Sequence, residues 1–132
     1  MVELEYDWKH YLDFSLNLLE IEDLDEQTKY RVAVSRAYYA AFHFAENFLN
    51  KNNAMIFPYG TTHDKVCRSL IEINKGSANF KKSCHSVGNL LDTLRIARQN
   101  ADYESVGTYT LKGARRQCIK AQKIIEELKK IS

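Results

Sequence analysis

The stretch Ser35-Arg36-Ala37-Tyr38-Tyr39-Ala40-Ala41-Phe42-His43 carries small residues, Ala37, Ala40 and Ala41, at i, i+3 and i+4. On a helix these lie on one face, so a second helix backbone can approach closely there. Around them Tyr30, Val34, Ala37, Ala41, Phe44 and Phe48 make one apolar stripe, which predicts a long helix from Asp25 to Asn50. Beside it runs a second stripe of Arg36, Ala40, His43 and Asn47. Arg36 and His43 are about two turns apart, roughly 10 Å along the axis. Spacing alone admits a bland account, an arginine paired with an acid and a histidine satisfied at a helix contact.

Outward from this helix the apolar residues keep a helical period, and no segment alternates long enough for a strand. A first helix is expected from Asp7 to Glu20, with Tyr11, Phe14, Leu18 and Ile21 on its stripe. Pro58 and Gly60 make Asn52–Gly60 a loop, after which Thr61 and Asp64 form a capping-box start for a third helix ending near Gly76. A fourth helix is expected from Ser83 to Asn100, then a polar turn over Ala101–Gly107, then a fifth helix from Thr108 to Lys130. The expectation is therefore an all-α antiparallel bundle of five helices, with residues 1–132 forming one domain.

Composition excludes more than it selects. Nineteen basic against seventeen acidic residues leave a net charge of +2, so a nucleic-acid surface would have to come from local clustering. Cys67, Cys84 and Cys118 are odd in number and widely spaced, which reads as reduced thiols in a core. His10, His43, His63 and His85 are scattered without metal-ligand spacing, so no metal and no cofactor is expected. Phosphate-loop, zinc-protease and serine-hydrolase motifs do not occur. The N-terminus is charged and no apolar run nears the ~20 residues of a membrane span, so the expected location is the cytoplasm, with no membrane contact.

The Ser35–His43 stretch resembles the signature of the small prokaryotic HEPN proteins, a helical superfamily associated with nucleotides and RNA. Two further pieces are similar and fall in the same order: Thr62-His63-Asp64-Lys65-Val66 opening the third helix, and Leu94-Arg95-Ile96-Ala97-Arg98-Gln99-Asn100-Ala101-Asp102-Tyr103 closing the fourth. Ala114–Ile131 resembles the family's amphipathic last helix, so the likeness covers roughly residues 8–130. It implies a HEPN-like bundle that binds RNA or a nucleotide, through Arg36, Tyr39, Arg95, Arg98, Asn100, Asp102 and Tyr103. It also implies a separate nucleotidyltransferase chain as partner in a toxin–antitoxin or defence pair.

Active members of that superfamily are metal-independent endoribonucleases, with an arginine followed after four to six residues by a histidine. Histidine serves as acid or base toward the ribose 2′-OH, and arginine stabilises charge on the phosphorane. Here no histidine follows Arg95 or Arg98 at that distance, and Asp102 and Tyr103 are poor substitutes at neutral pH. The alternative function is then an RNase whose catalytic set is Arg95 and Arg98 with an imidazole from His43 or His63. Arg95 and Arg98 also read as cations at a solvated helix end. A homodimer is expected from the resemblance and from eight tyrosines and six phenylalanines, since Tyr38, Tyr39 and Phe42 cannot all point inward beside the apolar stripe.

Overall fold

The computed structural model describes residues 5–132, and these form five helices and no strand. They are α1 (Trp8–Leu18), α2 (Glu26–Lys51), α3 (Thr62–Ile71), α4 (Ala78–Tyr103) and α5 (Leu111–Ile131). Each starts where a short polar side chain caps the orphan backbone N–H groups. Asp7 accepts from Lys9 N at 3.0 Å, Asp25 from Thr28 N at 2.9 Å, Ser77 from Phe80 N at 3.1 Å and Thr110 from Gly113 N at 3.0 Å. Thr61 and Asp64 make the reciprocal capping box of α3. The hydrogen bonds from Thr28 and Thr61 hold the Asp25 and Asp64 carboxyls below the usual range.

The caps also explain where the sequence expectation fails. Ser77 starts α4 at Ala78, so the helix begins well before Ser83. Its far end continues to Tyr103, so Asp102 and Tyr103 are helical rather than part of a polar turn. α3 stops at Ile71, short of Gly76, whose φ of 90° and contact with the Phe80 ring belong to the α3–α4 connection.

Contacts between helices fix their directions. Arg31 donates to the Ala101 and Glu104 carbonyls, Ser35 bonds Asp102, and the Phe48 ring stacks on Phe80 at 5.9 Å, so α2 and α4 run antiparallel. Tyr11 meets Arg36 and Trp8 meets His43, which makes α1 antiparallel to α2 as well. Gln27 exchanges hydrogen bonds with the backbone of Tyr109, and Lys129 lies over Phe44, so α5 runs parallel to α2. α2 is therefore central, touching all four other helices. Ala33, Ala37, Ala40, Ala41 and Ala45 are fully buried, so small side chains line more than one of its faces. α1 lies along the second stripe of α2, meeting Arg36 and His43 and leaving both partly exposed.

Leu12, Leu49, Leu70, Leu91, Leu94, Ile124, Ile125 and Leu128 fill the spaces between these backbones. Each such side chain is worth about 1.5–3 kcal/mol on burial. α3 approaches α4 closely at Gly88, where an added Cβ would sit 2.8 Å from Ile71 Cγ1, 3.1 Å from Leu70 Cβ and 3.2 Å from the Cys67 carbonyl. Replacing glycine by alanine in an open helix gains about 1 kcal/mol. Here the crowding reverses the sign: Gly88→Ala is expected to cost about 1–2 kcal/mol in urea unfolding. A gain in stability would show that α3 stands further from α4 than described.

Candidate functional site

The antiparallel register of α2 and α4 sets Ser35, Tyr38 and Tyr39 opposite Asp102, Arg98 and Arg95. Arg98 is the hub. Its side chain is only 13% exposed, and its guanidinium lies 5.2 Å from the Tyr38 ring, 5.4 Å from Tyr39 and 5.9 Å from Tyr103. These are cation–π distances. Asp102, one turn on, approaches Arg98 Nη1 to 3.6 Å and accepts a hydrogen bond from Ser35 Oγ at 3.0 Å. Arg36 approaches the same Tyr39 ring at 5.2 Å and donates to Tyr11 Oη at 3.1 Å, a bond that raises its already high pKa. Arg36, Tyr39, Arg98, Asp102 and Tyr103 thus share one surface.

Asn100 does not join them. Two residues from Arg98 and from Asp102, it points to another face and lines a groove with Val34, Ala97 and the Thr108–Thr110 segment. The positions of the two arginines also differ from the sequence expectation. They sit along a partly buried face of α4, not at a solvated helix end, because α4 runs on to Tyr103 and α2 packs against it. Among the described residues, neither Arg95 nor Arg98 donates a hydrogen bond within the chain. Their Nε atoms are buried without a partner, and their nearest carboxylates stand at 3.5 and 3.6 Å.

Arg95 leads to the second half of the site. Its partner Asp92 also meets His63 Nε2, at 3.3 Å. His63 stands in the first turn of α3, 9% exposed, with Tyr38 Oη 2.7 Å from Nδ1 and Cys67 Sγ 3.2 Å from Nε2. The partners assign the protons: Tyr38 donates to Nδ1, and Nε2–H points at the Asp92 carboxylate. Burial pushes the imidazole below its ordinary pKa, opposed by the Asp92 hydrogen bond and helped by the Arg95 charge. Burial likewise pushes the Tyr38 hydroxyl upward and the Cys67 thiol up to about 12. At neutral pH the cluster is thus a neutral phenol, thiol and imidazole against a carboxylate.

His43 is elsewhere. Its ring stacks on Trp8 at 4.1 Å and its Nδ1 faces Glu46 at 3.7 Å, with no hydrogen bond or ion pair to any of the arginines. His63 is linked to Arg95 through Asp92 and to Arg98 through Tyr38, whereas His43 is linked to Arg98 through the Tyr39 ring, on which it stacks at 6.2 Å. The three aromatics of α2 that suggested a second copy are taken up within the chain. Tyr38 and Phe42 are buried and Tyr39 is half-buried under the arginines, so that argument for a dimer falls.

Sequence reasoning missed Tyr38 as a partner of His63, read Cys67 only as a buried thiol, and missed Asp92 altogether. A signal existed for the latter two. His63 and Cys67 are four residues apart on one helix, and Asp92, Arg95 and Arg98 recur every three. Comparison with known protein families, curated proteins and solved structures finds no match to this chain.

Because Arg98 is packed on aromatic faces, its removal is not the neutral surface change that an exposed arginine would give. Arg98→Ala is expected to cost about 1–2 kcal/mol in urea unfolding. A loss under about 0.5 kcal/mol would mean that the guanidinium contributes nothing to packing.

Proposed function

We propose that the chain is a HEPN-type nucleotide- or RNA-binding bundle whose ligand phosphate is taken by Arg95 and Arg98, with Arg36 beside them. One observation carries this: two largely buried guanidiniums on one helix face make no hydrogen bond among the described residues. Guanidinium forks match phosphate oxygens in charge and geometry, and an unpaired buried donor costs free energy that a ligand oxygen would offset. Tyr103, 75% exposed, offers a face on which a base would stack. The motifs around Arg36, His63 and Arg98 support the HEPN reading. Through that resemblance alone it extends to a cytoplasmic toxin–antitoxin or defence pair with a separate nucleotidyltransferase chain, and to a second copy of this one. Among the described residues, no helix is long and apolar enough to cross a membrane.

A second reading, an endoribonuclease, is favoured by the chain of contacts from His63 through Asp92 to Arg95. Against it, both ring nitrogens of His63 are already engaged, so neither is free to take a proton from a ribose hydroxyl.

Binding is measured by anisotropy of a labelled single-stranded RNA and of a labelled adenine nucleotide, across a salt series. For the RNA, Arg95→Gln with Arg98→Gln is expected to weaken binding and to flatten the salt slope by about 0.7 per lost contact. Lys129→Ala with Lys130→Ala removes the same charge from the end of α5 and is expected to change little. Equal losses in both double variants would sink the site. RNA cleavage in EDTA that disappears in His63→Ala would replace the binding reading with the nuclease one.

A further inference from the structure

We propose that His63 Nε2, Cys67 Sγ and the Asp92 carboxylate form a binding site for a thiophilic divalent ion of the zinc class, with a fourth position open to solvent. The three donor atoms lie within 4.8 Å of one another. Their separations decide the matter: Nε2 is 3.3 Å from Asp92 Oδ1 and 3.2 Å from Cys67 Sγ. A tetrahedral zinc with ordinary bond lengths sets its nitrogen and oxygen ligands about 3.3 Å apart, and nitrogen and sulfur about 3.5 Å apart. The two separations that involve His63 are therefore within a few tenths of an ångström of those around an ion, and the third pair, Asp92 and Cys67, lies within 4.8 Å.

Each ligand is held by the fold rather than by the others. His63 and Cys67 stand one turn apart on the same face of α3, whose start the Thr61–Asp64 box fixes. The close approach at Gly88 seats α3 against α4, and Asp92 lies one turn further along α4 on the same seam. Metal-bound histidines are oriented by a partner on the other ring nitrogen. Here Tyr38 Oη fills that place, 2.7 Å from Nδ1. On ion binding the imidazole changes tautomer: Nε2 gives up its hydrogen to face the metal, and Nδ1 gains one and donates it to Tyr38 Oη. The Cys67 thiol releases its proton to solvent and binds as thiolate. Asp92, with its side chain half exposed, borders solvent and leaves room for water on the fourth position.

The ligands of this site are not the arginines that would take phosphate, so it is tested without RNA. Protein stripped with EDTA and dialysed is titrated with cobalt(II) as a spectroscopic stand-in, and with zinc in thermal melts. The expected result is a thiolate-to-cobalt charge-transfer band with intense visible bands of tetrahedral coordination, saturating at one equivalent. Zinc at about a hundred times its Kd should raise Tm by roughly 5–10 °C. Cys67→Ser removes the charge-transfer band, whereas Cys84→Ser and Cys118→Ser keep it. Asp92→Asn, at a half-exposed position where folding is not at risk, abolishes the zinc shift. Tyr38→Phe keeps the ring but loses the oriented imidazole, weakening binding roughly tenfold or more. No band, a band that survives Cys67→Ser, or a zinc shift unchanged in Asp92→Asn each overturns the proposal.

Discussion

The register of α4 against α2 is the constraint on which the rest of the structure depends. It is pinned at one end by Arg31 on the last carbonyls of α4 and by Ser35 on Asp102, and toward the other by Phe48 on Phe80. Between these pins Tyr38 slides under Arg98 and reaches His63. A slip of one turn, about 5.4 Å, would remove both contacts and expose the alanines that let the backbones approach. The fully buried alanines of α2 and the tyrosines beside them thus act together, the small residues setting the distance and the large ones the register.

This seam carries several polar groups, and they are unequally served. His63 has a partner on each nitrogen, and Asp102 is bonded by Ser35. Arg95 and Arg98 are the exception, charged groups half or more withdrawn from water whose compensation is aromatic faces and carboxylates beyond ordinary hydrogen-bond length. Burying a charge without hydrogen bonds opposes folding, and packing arginines in this way serves stability poorly. A bundle built only to be stable would place apolar residues at these two positions. Their unmet donors therefore direct attention to an outside acceptor.

Much of the architecture was legible in the residues, and the failures have physical causes. The all-α class, the five helices, the limits of α2 and the Thr61–Asp64 cap follow from period and capping chemistry, which act over a few residues. The start of α4 was misplaced because Ser77, a cap as good as Thr61, precedes a segment whose apolar stripe is thin until Val87. The placement of Tyr38 and Phe42 was misjudged because a stripe on one helix does not reveal how many neighbours surround it. α2 is packed on nearly every side, which leaves Tyr38 and Phe42 inside. The meeting of Tyr38, His63 and Asp92 spans three helices, with successive partners 25 and 29 positions apart in sequence. No local pattern encodes such a contact. Only its half within α3, a histidine and a cysteine four residues apart, was readable.

The two halves of the site are joined by Asp92, which faces His63 on one side and Arg95 on the other through the same oxygen. That sharing makes them electrostatically dependent. A cation drawing on the Asp92 carboxylate would weaken its hold on Arg95, and the freed guanidinium would turn more readily to an incoming oxyanion. A phosphate drawn to Arg95 would in turn leave Asp92 more negative toward His63 and Cys67, and so favour the cation. Thermodynamic linkage requires the two effects to be equal. Arg98 takes no part in the exchange through Asp102, which is anchored separately to Ser35. The arrangement thus separates one arginine whose charge balance is adjustable from one that is fixed, on adjacent turns of a single helix.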